Sequence, residues 1–319
     1  MLSALSVDRL IEPLTAAFFA SARLSNRPMV RVLRVQPDSI AAELGITPGT
    51  EMLSVDGRAL DDFLDWEFLT ADDAFELEVK LTNGEHVVFE IEREGGDPMG
   101  VELEPPNVRR CANRCEFCFI EGLPKGLRKA LYIRDDDYRL SFAYGNFATL
   151  SNLKEKDFER ILEYRLSPLY VSVHATPWEA RKKLLNNPRV PNIVAQLQRL
   201  VQGGIQFHGQ MVVVPGLNSG DVLEQSLADL YDFGDACLSV ALVPVGLTQF
   251  YTFTRASRWT ARTPDGSSTR PNAGRRAPSP SVAILGSTAR TNCTCSPDGR
   301  CRWRSIIVIS LRSRTAWVP

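Results

Sequence analysis

Three cysteines within eight residues constrain the fold and chemistry of this chain more than any other feature of its sequence. Cys111, Cys115 and Cys118 have the spacing C-x3-C-x2-C. Thiolates are ligands for soft metals and for iron–sulfur clusters. A closed zinc site or a fully ligated cluster normally has four protein ligands. Three ligands on one loop can therefore leave one iron of a cluster open, and a small molecule can bind and react at an open iron.

A zinc site is the alternative that the three cysteines leave open. Zinc needs a fourth protein ligand, and no second C-x2-C or H-x3-H pair follows in the central region. His174 and His208 are the only distant histidines of that region that could supply it.

Composition is that of a soluble globular protein with room for two domains. Of 319 residues, 44% are hydrophobic and 24% are charged. No apolar run reaches the roughly 18 residues of a membrane span, and Asp8, Arg9 and Glu12 argue against a signal peptide. Seven cysteines in such a chain favour metal ligands over disulfides. We therefore expect a cytoplasmic location.

The composition changes near residue 250. Residues 251–319 contain 12 of the 37 basic residues and two of the 38 acidic residues, with no Lys and no Glu. Residues 1–250 therefore carry 25 basic and 36 acidic residues, a net charge of −11, without a basic patch for nucleic acid. The Arg-, Ser-, Thr- and Pro-rich ending predicts a disordered tail over 251–319. A frameshift near residue 250 is our hypothesis for this change, and it would leave the preceding domain incomplete.

Residues 29–104 are predicted to form a small β-rich domain after a weakly helical extension over 1–28. Met29–Val35 alternates as a strand, and Ser39 can cap a short helix. Asn83-Gly84, between two apolar segments, is a strong hairpin signal.

The run SIAAELGITPGTEMLSVDG resembles the bacterial form of a PDZ domain. That resemblance implies a loop that binds an extended peptide or its C-terminal carboxylate. In a permuted arrangement this loop corresponds to Met99, Gly100 and Val101. The alternative is a PDZ-like platform that only packs on the neighbouring domain.

Residues 105–250 alternate apolar strands with amphipathic helices, which predicts a parallel sheet with active groups at the strand C-termini. The predicted strands are Phe147–Leu150, Leu169–Val173, Ile205–Val214 and Cys237–Val243. The predicted helices are Lys154–Arg165 with Asn152 as its cap, one capped by Thr176, one around Ile193–Val201, and Asp221–Phe233.

The run CANRCEFCFIEGLPKGLRKALYIRDDDYRLSFAYGNFATLSNL, with LSPLYVSVHAT, VVVPGLNSG and VPVGLT, resembles PDZ-containing radical S-adenosylmethionine (SAM) proteins that carry a DUF512 region. The resemblance covers about residues 29–250. It implies an α/β fold, a partial (β/α)6 radical SAM barrel after the PDZ-like domain. It also implies a [4Fe–4S] cluster on the three cysteines, SAM on the open iron, and hydrogen abstraction from a substrate after one-electron cleavage of SAM.

The same resemblance gives roles to residues near the cysteines and the second predicted strand. Phe117 lies where the superfamily has an aromatic residue beside the adenine of SAM. Ser151 and Asn152 lie where it usually has a Gly-Gly-Glu-like motif for the SAM amino group, which this chain lacks. Helix capping is the alternative role of these two residues.

Three further polar residues follow or lie near later strands. His174 could face the substrate or transfer a proton, although a lone histidine is more often structural. Gln210 and Asn218 are predicted cofactor-binding residues near the fourth strand. The acidic run 135–137 is expected to be a solvated turn, or else to order Arg139.

The sequence thus predicts a radical SAM enzyme of unknown substrate with a [4Fe–4S] cluster and SAM as cofactors. We expect an electron donor such as a flavodoxin or ferredoxin as one partner, and a peptide or protein C-terminus at the PDZ-like domain as another. Neither a membrane nor nucleic acid is expected as a partner. Two alternatives stay open: a PDZ peptide-binding adaptor with a structural zinc on the cysteine loop, and an inactive truncated product.

Overall fold

The computed structural model describes residues 30–115, 117–246 and 250, and the backbone of three short strands near the C-terminus. The chain divides into two compact units, Met1–Asn107 and Val108–Pro319. The predicted extension over 1–28 and most of the predicted tail over 251–319 lie outside the described residues. Within the described residues, no helix is both long and apolar enough to cross a membrane.

The first unit is an antiparallel sheet with two short helices. Its elements are β1 (Val30–Val35), α1 (Ile40–Glu43), β2 (Glu51–Val55), β3 (Arg58–Ala59), α2 (Phe63–Leu69), β4 (Ala74–Lys80), β5 (His86–Glu92) and β6 (Val101–Leu103). The strand order is β5-β4-β2-β1-β6, with β3 paired to β2.

Local signals in the sequence account for this first unit. Buried and less buried residues alternate along β4, where Leu77 and Val79 are fully inside, as expected for a sheet with one face on the core. The Ser39 hydroxyl accepts a hydrogen bond from the Ala42 amide at 3.3 Å, which confirms the predicted cap of α1. The predicted hairpin at Asn83-Gly84 joins β4 to β5 in the order the sequence indicates.

The second unit alternates helices and strands. Its elements are α3 (Tyr138–Tyr144), α4 (Glu155–Glu163), β7 (Leu169–Ser172), α5 (Trp178–Leu185), α6 (Ile193–Gln202), β8 (Phe207–Val213), α7 (Asp221–Tyr231), β9 (Cys237–Pro244), β10 (Cys293–Cys295), β11 (Cys301–Trp303) and β12 (Ile307–Ser310). Two short 3-10 helices, Lys129–Tyr132 and Gly234–Ala236, complete the set.

Three parallel strands form the centre of this unit, as predicted. β7 pairs with β8 and β8 pairs with β9, both in parallel. Leu169 and Val171 in β7 are fully buried, as are Phe207 and Met211 in β8, which is the burial expected when helices cover a parallel sheet. The predicted strand over 147–150 is reduced to a single parallel bridge between Ala148 and Val171. In the described part of the chain this is an open sheet, and the implied partial barrel is not present as such.

Two predicted helix caps are wrong. The N-cap of α4 is Lys154 rather than Asn152, because Asp157 reaches back and accepts the Lys154 amide hydrogen at 2.8 Å. The N-cap of α5 is Pro177, because the Thr176 hydroxyl donates to Asp229 instead of turning to the helix. Both predicted caps are drawn into tertiary hydrogen bonds that a local motif does not contain.

The strands β10, β11 and β12 differ from the prediction that all of 251–319 is disordered. β10 pairs with β11, and β12 pairs antiparallel with β9, with Ile307 opposite Leu242. β12 is the one sustained apolar run of the tail. Pairing with β9 gives the backbone groups of that edge hydrogen-bond partners, which an open edge strand lacks.

Candidate functional site

The three cysteines lie on one segment, residues 109–118, which we call the cysteine loop; its described residues, 109–115 and 117–118, form no helix or strand. It begins at an antiparallel bridge between Arg110 and Asp135, and the Cys111 amide donates to the Arg134 carbonyl oxygen at 2.8 Å. The Cys118 amide closes a turn onto the Cys115 carbonyl oxygen at 3.1 Å. The loop backbone is therefore fixed at both ends.

The three thiols are half-buried and influence one another. Burial, with a contribution from the charge of Asp136, raises the pKa of Cys111. Burial followed by the neighbouring Cys111 and Cys118 raises the pKa of Cys115 to about 12. Among the described residues, no group of three or more His, Cys, Asp or Glu side chains is arranged so as to hold a metal ion. The loop thus carries three soft donor atoms, but these are not arranged around a single metal position.

The cysteine loop carries a buried amide side chain at its middle. Asn113 has no exposed surface, and its Nδ2 donates to the Thr149 and Ser151 hydroxyls, both at 2.9 Å, and lies 3.5 Å from the Cys111 sulfur. Its Oδ1 accepts from Asn187 Nδ2 at 2.8 Å. The middle of the loop is therefore tied to the segment that precedes α4 and to the end of α5.

Asp136 accepts hydrogen bonds from the hydroxyl groups of Thr149 and Ser151. Its Oδ2 accepts from Thr149 Oγ1 at 2.6 Å and from Ser151 Oγ at 2.8 Å, and its Oδ1 accepts from the Thr149 amide at 2.5 Å. Asp136 is 1% exposed. Asn113, Thr149, Ser151 and Asp136 form one buried set of hydrogen bonds, which we call the Asp136 network.

Arg181 is a buried cation that contacts this network. It lies on α5 without exposed surface and donates to the carbonyl oxygens of Thr149 at 2.7 Å and Ser172 at 3.1 Å, and to that of Val173. Burial lowers the pKa of Arg181 to about 10, and the charges of Asp136 and Cys115 oppose that shift. The guanidinium therefore stays charged at neutral pH and joins the ends of two neighbouring strand segments.

The prediction of a solvated acidic turn at 135–137 is wrong, and the alternative that it orders Arg139 is confirmed. Asp137 is fully buried and pairs with Arg139 at 2.6 Å. Burial alone would raise the pKa of Asp137, but hydrogen bonds from Arg139 and from the Arg109 amide outweigh it and lower that pKa. Of the three acids only Asp135 keeps partial exposure.

Phe117 and His174 contact each other inside the unit. Their ring centroids are 4.8 Å apart in an edge-to-face arrangement, and Phe117 is buried in an apolar cluster with Ala175 and Val214. Burial lowers the pKa of His174 to about 3, and its Nδ1 accepts the Val212 amide hydrogen at 3.2 Å. His174 is therefore a neutral ring with its proton on Nε2, and it cannot act as a proton donor of matched pKa near neutral pH.

Asn218 is occupied by backbone groups. Its Oδ1 accepts from the Val214 amide at 2.6 Å, and its Nδ2 donates to the carbonyl oxygens of His174 at 2.7 Å and Val212 at 2.8 Å. This side chain connects the ends of β7 and β8, and both of its amide hydrogens are used in doing so. Gln210 is half-buried in β8, and its backbone oxygen accepts from the His174 amide at 3.2 Å.

Ser151 and Asn152, the two residues predicted to bind the SAM amino group, differ in whether their side chains have an unused hydrogen-bonding atom. The Ser151 hydroxyl is used by the Asp136 network. Asn152 Nδ2 donates to the Asp136 carbonyl oxygen at 2.7 Å, whereas its Oδ1 is buried without a partner among the described residues. A buried acceptor without a donor is costly, and an ammonium group is a donor that would satisfy it.

In the first unit, the predicted peptide loop is held by its carbonyl groups. The Met99 oxygen accepts from the Ala41 amide at 3.0 Å and the Gly100 oxygen from the Gln36 amide at 2.8 Å. None of the described residues accepts the amide hydrogens of Met99 and Gly100. Gly100 has φ +73°, and a Cβ there would lie 2.2 Å from the Ser39 Cβ, so only glycine fits this approach.

Sequence reasoning found the cysteines but missed the residues that support them. Asn113, Asp136, Arg181 and Asn187 are joined only by contacts between distant segments. One local signal was available, because Thr149 and Ser151 are two apart and therefore point to the same side of an extended segment.

Comparisons with known proteins agree with the cysteine spacing. Residues 93–240 match the family described as a Radical SAM-like domain. All three cysteines and the whole Asp136 network lie inside this match. A search of curated proteins found no match. Among solved structures, the PDZ domain of the SdrC-like protein from Listeria monocytogenes is 18% identical over 26% of this chain and 93% of that chain, with a TM-score of 0.21.

Proposed function

We propose that this chain is a radical SAM enzyme of the DUF512-containing type, with a [4Fe–4S] cluster on Cys111, Cys115 and Cys118. The observation that carries the proposal is the cysteine loop itself. Three soft donors stand on one loop, inside the Radical SAM-like domain, and a buried network fixes that loop from behind. Such support is typical of metal sites, where residues beyond the ligands orient them.

The residues present fit the chemistry of the cluster and of SAM. Three thiolates match the donors that iron–sulfur clusters prefer and leave one iron for another ligand. The orphaned Asn152 Oδ1 fits an N–H donor of the SAM amino group. When bound, the cluster and SAM together supply one-electron chemistry that abstracts hydrogen from a substrate.

The protein's own residues position these groups and exclude water. Asn113 and Asp136 hold the cysteine loop, while Phe117 and the neutral His174 form an apolar wall beside Cys115. We assign His174 to positioning rather than to proton transfer, because its ring nitrogen Nδ1 already binds the Val212 amide. The electron comes from a separate donor protein such as a flavodoxin or ferredoxin.

Iron and sulfide content after anaerobic reconstitution tests this proposal. We expect about four iron and four sulfide per chain, a brown absorbance, and 5′-deoxyadenosine on reduction with SAM. Cys115→Ala should lose the iron, whereas Cys237→Ala, a buried cysteine of β9 far from the loop in sequence, should retain it. Iron that binds equally to both variants would refute the assignment of the loop.

The zinc-adaptor alternative is less well supported. The Nδ1 atom of His174 binds the Val212 amide, and that of His208 lies 2.7 Å from the Ser239 hydroxyl. Among the described residues, neither histidine joins the cysteines in a group of three or more side chains arranged to hold a metal ion. One zinc per chain with no iron in the reconstitution would favour the adaptor, and poorly soluble chain with neither metal would favour an inactive product.

Peptide binding at the first unit is a second candidate function. The amide hydrogens of Met99 and Gly100 stay without acceptors among the described residues while their carbonyl groups are fixed, which suits capture of a C-terminal carboxylate. Fluorescence titration with peptides carrying a free or an amidated C-terminus tests this. Equal affinity for the two forms would exclude a carboxylate loop.

A further inference from the structure

A cavity of about 560 Å³ lies in the second unit beside the cysteine loop. Its volume is within the range of about 300–1,000 Å³ that is usual for small-molecule sites. Its walls are formed by Arg110, Cys111, Lys129, Ala130, Tyr132, Ile133 and Arg134. Cys111 is the one predicted cluster ligand among them.

The charge of this cavity is positive. Three cationic side chains and no acidic side chain line it. Arg134 is neutralised by Glu121 at 3.0 Å, but Arg110 and Lys129 form no ion pair with any described residue. Residues 1–250 carry a net charge of −11, so two unpaired cations at one cavity are not part of a generally basic surface.

The walls of the cavity are fixed before any ligand binds. The Tyr132 hydroxyl accepts from the Leu127 amide at 2.9 Å and donates to the Pro124 carbonyl oxygen. Arg134 donates to Glu121 and to the Asn113 carbonyl oxygen. Ligand binding therefore does not have to supply the ordering of this segment, which favours affinity.

We propose that this cavity binds a small anionic molecule, with a carboxylate or phosphate group on Arg110 and Lys129. Ala130 and Ile133 contact the apolar part of the same molecule. A ligand in this position lies against Cys111, so, on the basis of the proposed function, the substrate class of the enzyme is a small organic anion.

Calorimetric titration of the full-length, metal-free chain tests the proposal with pyrophosphate and citrate as separate probes. We expect Lys129→Ala to weaken binding about tenfold or more, because the substitution removes a charge-assisted hydrogen bond to the anion. Lys129→Arg should largely retain the affinity. Lys125→Ala is the matched control, since Lys125 is exposed in the same segment and does not line the cavity.

Alkylation of Cys111 by the neutral reagent iodoacetamide gives a second, site-specific readout. A bound anion should slow modification of Cys111, followed by mass spectrometry, while Cys118 is an internal reference outside the cavity wall. Both readouts use the chain without a cluster, so they are independent of iron loading.

The outcomes separate the two sources of anion and the two proposals. Protection by pyrophosphate alone indicates a phosphate ligand, and protection by citrate alone indicates a carboxylate ligand. No binding of either at millimolar concentration, or equal losses in Lys129→Ala and Lys125→Ala, would overturn the cavity proposal. Anion binding in a chain that takes up no iron would leave the cavity intact and refute the radical SAM function.

Discussion

Replacing Asp136 by asparagine should release the cysteine loop at a cost of about 3–5 kcal/mol. Asp136 Oδ2 accepts two hydroxyl hydrogens, at 2.6 and 2.8 Å. Both hydroxyls already accept from Asn113, and the one other acceptor for either hydrogen among the described residues is Ser151 Oγ, 3.0 Å from Thr149 Oγ1. An amide nitrogen at that position would face two donors, and each hydrogen bond to a charged group is worth about 1.5–3 kcal/mol. The substitution also removes the acidic neighbour of buried Arg181.

Hydrogen–deuterium exchange of the full-length chain measures this loss locally. The Cys111 amide is bonded to the Arg134 carbonyl oxygen, and its exchange should be about two to three and a half orders of magnitude faster in Asp136→Asn. Peptides from β4 and β5 in the first unit provide the internal reference. Asp135→Asn is the control variant, since its one side-chain hydrogen bond, to Asn146 at 3.0 Å, is exposed. Equal exchange rates in the two variants would refute the network as the support of the loop.

Three further predictions concern single positions. Gly100→Ala should lower the free energy of unfolding of the first unit by about 2–3 kcal/mol. Gly84→Ala is also at positive φ, but a Cβ there would meet nothing within 4 Å, so it should lower that free energy by only about 1 kcal/mol. Equal losses in denaturant titrations would contradict a close approach of Gly100 to Ser39. Burial lowers the pKa of His174 from 6.5 to about 3, so at mildly acidic pH the unfolded chain binds a proton there that the folded chain does not. The free energy of unfolding should therefore fall by about 1.4 kcal/mol per pH unit as pH drops below about 6. His174→Asn offers the Val212 amide an oxygen acceptor and suits φ +60°, and it should remove this part of the pH dependence. Phe117→Ala should cost about 3–5 kcal/mol and Phe117→Leu much less, measured by urea unfolding, because the ring fills the apolar cluster behind the loop.

The parallel sheet could be predicted because its signals are local. β8 and β9 are apolar runs that end at Pro or before a Pro-Gly turn, and α6 has apolar residues at helical spacing. Helix α3 could not be predicted because it lacks such a local signal: the sequence of Tyr138–Tyr144 shows no amphipathic period. It begins at the Asp137 cap and ends at Gly145 in the left-handed region, and its burial depends on tertiary contacts.

The candidate site could be predicted only at its ligands. Cysteine spacing is visible in the sequence, whereas the partners of Asn113 are 36, 38 and 74 residues away. Asp136 stands between two other acids, a pattern that usually indicates a solvated turn. Folding reverses this expectation, because the Thr149 and Ser151 hydroxyls supply enough hydrogen bonds to bury one carboxylate.

Two residues with strained backbone conformations lie near the candidate site. Leu150 has φ +57° and His174 has φ +60°, conformations that cost a bulky residue about 1–2 kcal/mol. The carbonyl oxygen of each strained residue accepts a hydrogen bond from a buried amide side chain. Gln196 donates to Leu150 at 3.0 Å, and Asn218 donates to His174 at 2.7 Å. Strain that is compensated in this way persists where a precise geometry is needed. Asn218, expected to bind a cofactor, therefore contributes to the site by holding the strand end from which His174 contacts Phe117.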